Sequence, residues 1–173
     1  FSTIWGVYAF AGHFAASLAI ITLTLIALYK RGLMKQYITL EHFHDLGKLM
    51  FAFSVFWTYI AFSQYFIIWY ANLPEETIYF DVRTSNGWEL FGLLLVLFHF
   101  VLPFILLLRQ DVKRKMAVLT VAAIVILISH FIDLVWIIMP AVSKVVGGTH
   151  MSANMMFGWS EFTGVVFFAG VFL

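Results

Sequence analysis

The sequence predicts an all-α fold, a polytopic bundle of about five transmembrane helices that forms a single domain over residues 1–173. Composition supports this class, because hydrophobic residues make up 63% of the chain and charged residues only 11%. Soluble domains carry about 25% charged residues. The run from Met116 to Met139 is almost wholly apolar. Its roughly 24 residues rise about 36 Å as a helix, which is enough to cross the hydrocarbon of a bilayer.

Composition also excludes several kinds of site. The chain has no cysteine, so we expect no disulfide, thiolate metal site or Fe–S cluster built from its own side chains. Its formal net charge of +1 gives no bulk attraction to nucleic acid. The chain does not begin with Met and an apolar segment reaches its last residue, so we expect it to be part of a longer polytopic chain.

Hydrophobic runs and their flanking residues define the elements in order. A short interfacial helix is expected before the second membrane helix, begun by a cap at Thr39 and ended by Gly47. An acidic loop should cover residues 72–86. Pro103 should kink the third membrane helix and free the carbonyl of His99, and Pro140 should end the fourth. The predicted membrane helices span residues 4–29, 49–70, 88–108, 116–139 and 155 onward.

The cations predict the orientation of these helices. The segments after the first and third helices carry four Lys or Arg each, counting Lys48, whereas the other two connections carry one each, Arg83 and Lys144. The positive-inside rule places the two cationic segments in the cytoplasm. The first helix therefore starts on the outer side of the membrane.

Five ionisable side chains inside the predicted helices are candidate functional residues. His130 and Asp133 are three residues apart, so they share one helix face, and that face should look into protein or water because a charged group facing lipid is costly. Imidazole and carboxyl groups are the usual proton carriers near neutral pH. Glu161, His99 and His13 lie on other helices. We expect His130, Asp133 and Glu161 to line one polar cavity that reaches the outer side, with His99 and His13 extending a proton path.

Long motifs in this sequence resemble a known family. They are the run from Glu41 to Phe53, the run from Trp57 to Tyr65, the run from Trp69 to Thr77, His99 to Phe104, and His130 to Leu134. These segments are similar to the NrfD/PsrC-like membrane subunits of bacterial alternative complex III, of the ActF type. The resemblance covers the first four predicted helices and is weak after Pro140.

The resemblance implies a ten-helix protein of the bacterial inner membrane, of which this chain would be the later half. It implies membership of a complex that oxidises menaquinol or ubiquinol and passes electrons on to cytochrome c or a terminal oxidase. The expected partners are an ActC-like paralogue with the better-supported quinol site, an Fe–S subunit, haem c subunits and membrane lipid. It implies that this chain binds no haem or metal itself and contributes buried polar residues to proton transfer.

Other interpretations of the same residues remain open. His130 and Asp133 also fit a buried structural pair, His13 a packing residue, and Glu161 a side chain near the interface. The chain is then a purely structural membrane anchor. Histidines on three different helices also fit a b-type haem subunit, since haem iron takes axial His ligands. The aromatic residues of the second helix fit either interfacial packing or a quinone pocket.

Overall fold

The computed structural model describes residues 3–84 and 88–146, and all regular structure within them is helical. The elements are α1 (Ile4–Lys30), α2 (Leu40–Ala71), α3 (Pro74–Arg83), α4 (Trp88–Leu95), a π-helical segment (Val96–Val101), α5 (Leu102–Leu108), α6 (Gln110–Lys113) and α7 (Met116–Val146). The predicted fifth membrane helix, and Glu161 with it, lies outside the described residues.

The predicted all-α class is confirmed, with four helices in the described part long and apolar enough to cross a membrane. These spans are Ile4–Lys30, Leu40–Ala71, Trp88–Leu108 and Met116–Pro140. Each exceeds the roughly 20 apolar residues that a crossing requires. The chain is therefore a multi-pass helical membrane protein.

Small side chains bring the helices together. Helix α1 packs against both α2 and α7, and its Ala11, Ala15 and Ala19 are fully buried. Ala122 and Ala123 are equally buried on α7. Small residues allow close approach of helix backbones, which matters in a membrane because lipid is as apolar as the helix surface. Helix α1 is therefore held between α2 and α7.

Helix α2 corrects one prediction, because Gly47 lies inside it and ends no short interfacial helix. Thr39 is the N-cap as predicted, and its backbone N–H donates to Nδ1 of His42 at 3.1 Å. A Cβ at Gly47 would lie 3.0 Å from Cδ2 of Leu119 and 3.4 Å from Cβ of Lys113. The missing side chain therefore permits close packing, and the helix continues unbroken to Ala71.

The predicted acidic loop is also wrong, since most of it is the helix α3. Pro74 stands at the first position, Glu75 and Glu76 occupy the first turn, and Arg83 lies in the last turn. This order suits the helix dipole, which favours acids at the N-terminus and bases at the C-terminus. Helix α3 contacts α2, α4 and α7 at the end of the bundle opposite the cationic segments.

The two prolines inside membrane helices behave differently. Pro103 follows the π-helical segment, in which the backbone N–H of Leu102 donates to the carbonyl of Leu97. The irregular turn thus lies just before the proline, and the predicted kink and free His99 carbonyl stay predictions. Pro140, however, does not end its helix as predicted, because α7 continues to Val146. Side-chain donors from α3 replace the missing amide there, as described below.

The two cationic segments meet at one end of the bundle, as the orientation argument requires. Nη2 of Arg114 lies 3.0 Å from Oε1 of Glu41, which joins the segment after α5 to the start of α2. Nζ of Lys113 lies 4.9 Å from the ring centroid of Phe51. We call this end inner and the end carrying α3 outer, following the positive-inside rule.

Candidate functional site

Three of the predicted histidines converge in the bundle around His130. The ring of His130 is 4.9 Å from that of His13 on α1 and 6.3 Å from that of His99 in the π-helical segment, measured between centroids. A Cβ at Gly12 would lie 3.0 Å from both Cε1 and Nδ1 of His130. Glycine at that position therefore leaves the space that the imidazole of His130 occupies.

His99 is the most deeply placed member of this cluster. Its side chain is fully buried and stacks on the indole of Trp57 with 3.9 Å between ring centroids. Neither ring nitrogen makes a hydrogen bond of regular geometry within the described residues, although the backbone of Ser129 lies close to the ring. The nitrogens of such a buried imidazole can form hydrogen bonds with water or with a neighbouring helix. His13, by contrast, is exposed, and its Nδ1–H donates to the carbonyl of Ala9 at 2.6 Å.

Asp133 has a direct partner that the sequence did not reveal. Its side chain is 1% exposed, and the hydroxyl of Tyr8 on α1 donates a hydrogen bond to its Oδ1. The indole of Trp57 lies near the same carboxyl without a hydrogen bond of regular geometry. Within the described side chains no hydrogen bond joins His130 to Asp133. The carboxyl is thus hydrogen-bonded across the α1–α7 interface. Acids within membrane helices usually face the bundle interior and pair with another polar group in this way.

A cavity of about 580 Å³ lies between α1, α2, α3, α4 and α7 toward the outer end. Aromatic residues form much of its wall, together with the polar side chains of Gln64, Arg83 and Glu89. Neither Asp133 nor His130 contributes to the wall of this cavity, so the polar cavity predicted for them with Glu161 stays a prediction. Tyr8 does contribute to this wall, so the phenol stands between the cavity and the carboxyl. Glu161 lies outside the described residues.

Arg83 is the second feature that the sequence did not reveal. Arg83 is 5% exposed, and its guanidinium carbon lies 3.5 Å from the ring centroid of Tyr79. Burial lowers the pKa of Arg83 from its usual value and raises the pKa of Tyr79 to about 12. A guanidinium titrates so far above neutrality that it stays charged after such a shift, and the Tyr79 phenol stays neutral. The outer end of the site therefore carries a fixed positive charge.

The structure thus places His99, His130 and Asp133 in the interior of the bundle, with the exposed His13 beside the ring of His130. Sequence signals for the missed residues existed but were weak. Tyr8 is four residues before Gly12 and shares its helix face, and Arg83 is the single cation of residues 72–86. Neither pattern predicts a specific partner, because pairing across helices depends on how α1 and α3 dock on α7.

Neither metal-binding geometry nor comparison with known proteins identifies the function of this site. Within residues 3–84 and 88–146, no group of three or more His, Asp or Glu side chains is arranged to hold a metal ion. No protein-family model matches the chain, and no curated protein matches it. Fold, helix length and hydropathy establish a multi-pass helical membrane protein, and its activity is a matter for proposal.

Proposed function

We propose that this chain is an inner-membrane subunit of a bacterial quinol-oxidising respiratory complex of the alternative complex III type, and that it carries protons through Asp133. The observation that carries this proposal is the buried Asp133 carboxyl, hydrogen-bonded by a phenol that itself borders a cavity. Ionisable groups at membrane depth are costly and mark proton or ion pathways by default. The motif resemblance supplies the expected complex, with quinol, Fe–S and haem c in partner subunits.

The Tyr8 hydroxyl gives the carboxyl a route to the cavity. When a hydronium ion in the cavity gives a proton to the phenol oxygen and is left as water, the phenol's own hydrogen passes to Oδ1 of Asp133. The carboxyl ends protonated and Tyr8 ends unchanged. The reverse transfer releases the proton toward the outer end. Such a relay needs only hydrogen-bond reach or one intervening water.

The histidine cluster extends the path inward from Asp133. His130 lies one helical turn before Asp133 on α7. Its ring centroid is 4.9 Å from that of His13 and 6.3 Å from that of His99. Neutral imidazole accepts a proton at one nitrogen and gives one up at the other. A proton therefore passes between His130 and Asp133 through a bridging water, in a stretch where Nδ1 of His130 has no partner among the described residues.

Replacing Asp133 tests the proposed function. Asp133→Asn keeps the shape and the hydrogen bond from Tyr8 but removes the titration. In proteoliposomes containing the whole complex, quinol-driven proton release should fall at least about tenfold while assembly is retained, a loss typical of a missing proton-transfer group. Asp81→Asn is the matched control, since it removes an exposed carboxylate from the same end. Normal proton release in Asp133→Asn, combined with poor assembly of Asp133→Leu, would instead support the structural-anchor interpretation.

A second candidate function is binding of quinol by this chain, which the aromatic cavity favours. Its wall includes Trp5, Trp57 and Trp136, which suit a flat ring, and Ala61, where there is room to add a larger side chain. Ala61→Phe should raise the KM for quinol if the ring binds there. If the cavity holds only water, the same variant should lower proton release and leave the KM unchanged.

A further inference from the structure

Helix α7 contains a proline whose missing donor is replaced by a side chain. Pro140 has no backbone N–H, so the carbonyl of Trp136, four residues earlier, has lost its helical partner. Arg83 supplies donors at this point. Its Nε donates to the carbonyl of Trp136 at 3.2 Å, and its Nη2 donates to the carbonyl of Ile137 at 2.6 Å. One planar side chain thus bridges the interrupted turn.

The surroundings of Arg83 fit this use of its guanidinium. Its Nη1 donates to the carbonyl of Tyr79 at 2.9 Å, so all three nitrogens bond backbone oxygen. No carboxylate of the described residues forms an ion pair with it. Burying a cation is costly unless its donors are satisfied. Here the acceptors are backbone carbonyls and the flanking rings are those of Tyr79 and Trp136.

Two connections join Arg83 to the buried carboxyl. Trp136 and Ile137 follow Asp133 by three and four residues, so their carbonyls lie one turn beyond it on α7. The second connection runs through side chains. The ring of Tyr79 is 4.7 Å from that of Trp5, and Trp5 is 5.4 Å from Tyr8, the partner of the carboxyl. Arg83 therefore braces both members of the Tyr8–Asp133 pair.

We propose that Arg83 is a positioning residue that replaces the donor absent at Pro140, keeps α7 helical to its outer end and holds Asp133 against Tyr8. The consequence for proton transfer rests on the proposed function above. The claim that Arg83 replaces the donor missing at Pro140 is independent of the proposed function, because it concerns helix geometry alone. The two statements therefore fail in different experiments.

A double-mutant cycle in the whole protein tests the pairing of Arg83 with Pro140. Arg83→Gln should lower the thermal unfolding midpoint by about 5 to 10 °C, as expected when a buried hydrogen-bond network is broken. Pro140→Ala restores a backbone N–H for the carbonyl of Trp136, so adding it to Arg83→Gln should recover at least about half of that loss. Arg114→Gln is the control, since it removes a cation whose ion pair is half exposed.

Readouts at the carboxyl separate positioning from general stability. The infrared carbonyl band of protonated Asp133, identified by its loss in Asp133→Asn, should shift in Arg83→Gln and return in the double variant, but not move in Arg114→Gln. If Arg83→Gln does not assemble, rescue of assembly by Pro140→Ala supports the proposal. Additive losses in the double variant, or an unshifted band in Arg83→Gln, would overturn it. If Pro140→Ala rescues Arg83→Gln but Asp133→Asn still releases protons normally, the pairing of Arg83 with Pro140 stands and only the proposed function is refuted.

Discussion

Gly12→Ala is the smallest change that should disturb the histidine cluster. The added methyl group would lie 3.0 Å from both Cε1 and Nδ1 of His130 and 3.4 Å from Cδ1 of Trp57. Nonbonded carbon atoms prefer separations of about 3.5 to 4.0 Å. The His130 ring would therefore have to withdraw by about half an ångström, and His13 already packs against it.

Two opposing terms set the expected size of the effect. Replacing a helical glycine by alanine is stabilising by about 0.5 to 1 kcal/mol, because the unfolded chain loses freedom. Overpacking a filled interior costs about 1 to 3 kcal/mol. The difference predicts a net destabilisation of between about 0 and 2.5 kcal/mol for Gly12→Ala. Gly6→Ala lies on the same helix with nothing within 4 Å of its Cβ, so only the stabilising term applies.

The assay compares the two variants in thermal unfolding and in proton release by the intact complex. Gly12→Ala should unfold at a lower temperature than wild type and release protons more slowly, since His130 is displaced. Gly6→Ala should unfold at the same or a higher temperature and release protons normally. Equal behaviour of the two variants would refute the close fit of His130 against α1.

Three further predictions concern topology, the π-helical segment and the phenol. Cysteine introduced at Glu76 should react with a membrane-impermeant reagent from the periplasm and cysteine at Arg114 should not; the reverse pattern would invert the orientation. Pro103→Ala restores an amide donor in the third span, so a structure of the variant should show a regular α-helix where the π-helical segment now lies; an unchanged segment would mean that packing imposes it. Tyr8→Phe should slow proton release at least about tenfold with assembly retained, and unaltered release would exclude the phenol from the path to Asp133.

Much of the fold could be predicted from the sequence, because membrane-spanning helices are identified by the length and hydropathy of their apolar runs. All four described spans were predicted, and the main errors lie where a single residue type has two possible roles. Gly47 was predicted to end a helix, yet it sits mid-helix because Leu119 packs where its side chain would be. Pro140 was predicted to end α7, but Arg83 bonds the carbonyls around the break.

The candidate site was predictable only in its ionisable residues. His130 and Asp133 are conspicuous because buried polar groups are rare in an apolar run. Their partners cannot be recognised in this way. Tyr8 lies near a helix end, where a tyrosine ordinarily belongs to the interfacial belt. The partnership of Tyr8 with Asp133 depends on the docking of α1 on α7 across 125 residues of sequence. Helical periodicity contains no information on that register.

The change in protonation of Asp133 during turnover tests the central claim most directly. Infrared difference spectra of the complex should show a carbonyl band of a protonated carboxyl that changes on quinol oxidation, shifts in heavy water, and is absent in Asp133→Asn. The same band should shift in Tyr8→Phe, because the phenol is the hydrogen-bond partner of the carboxyl. A spectrum in which no turnover-dependent carboxyl band responds to Asp133→Asn would contradict the proposal that this residue carries protons.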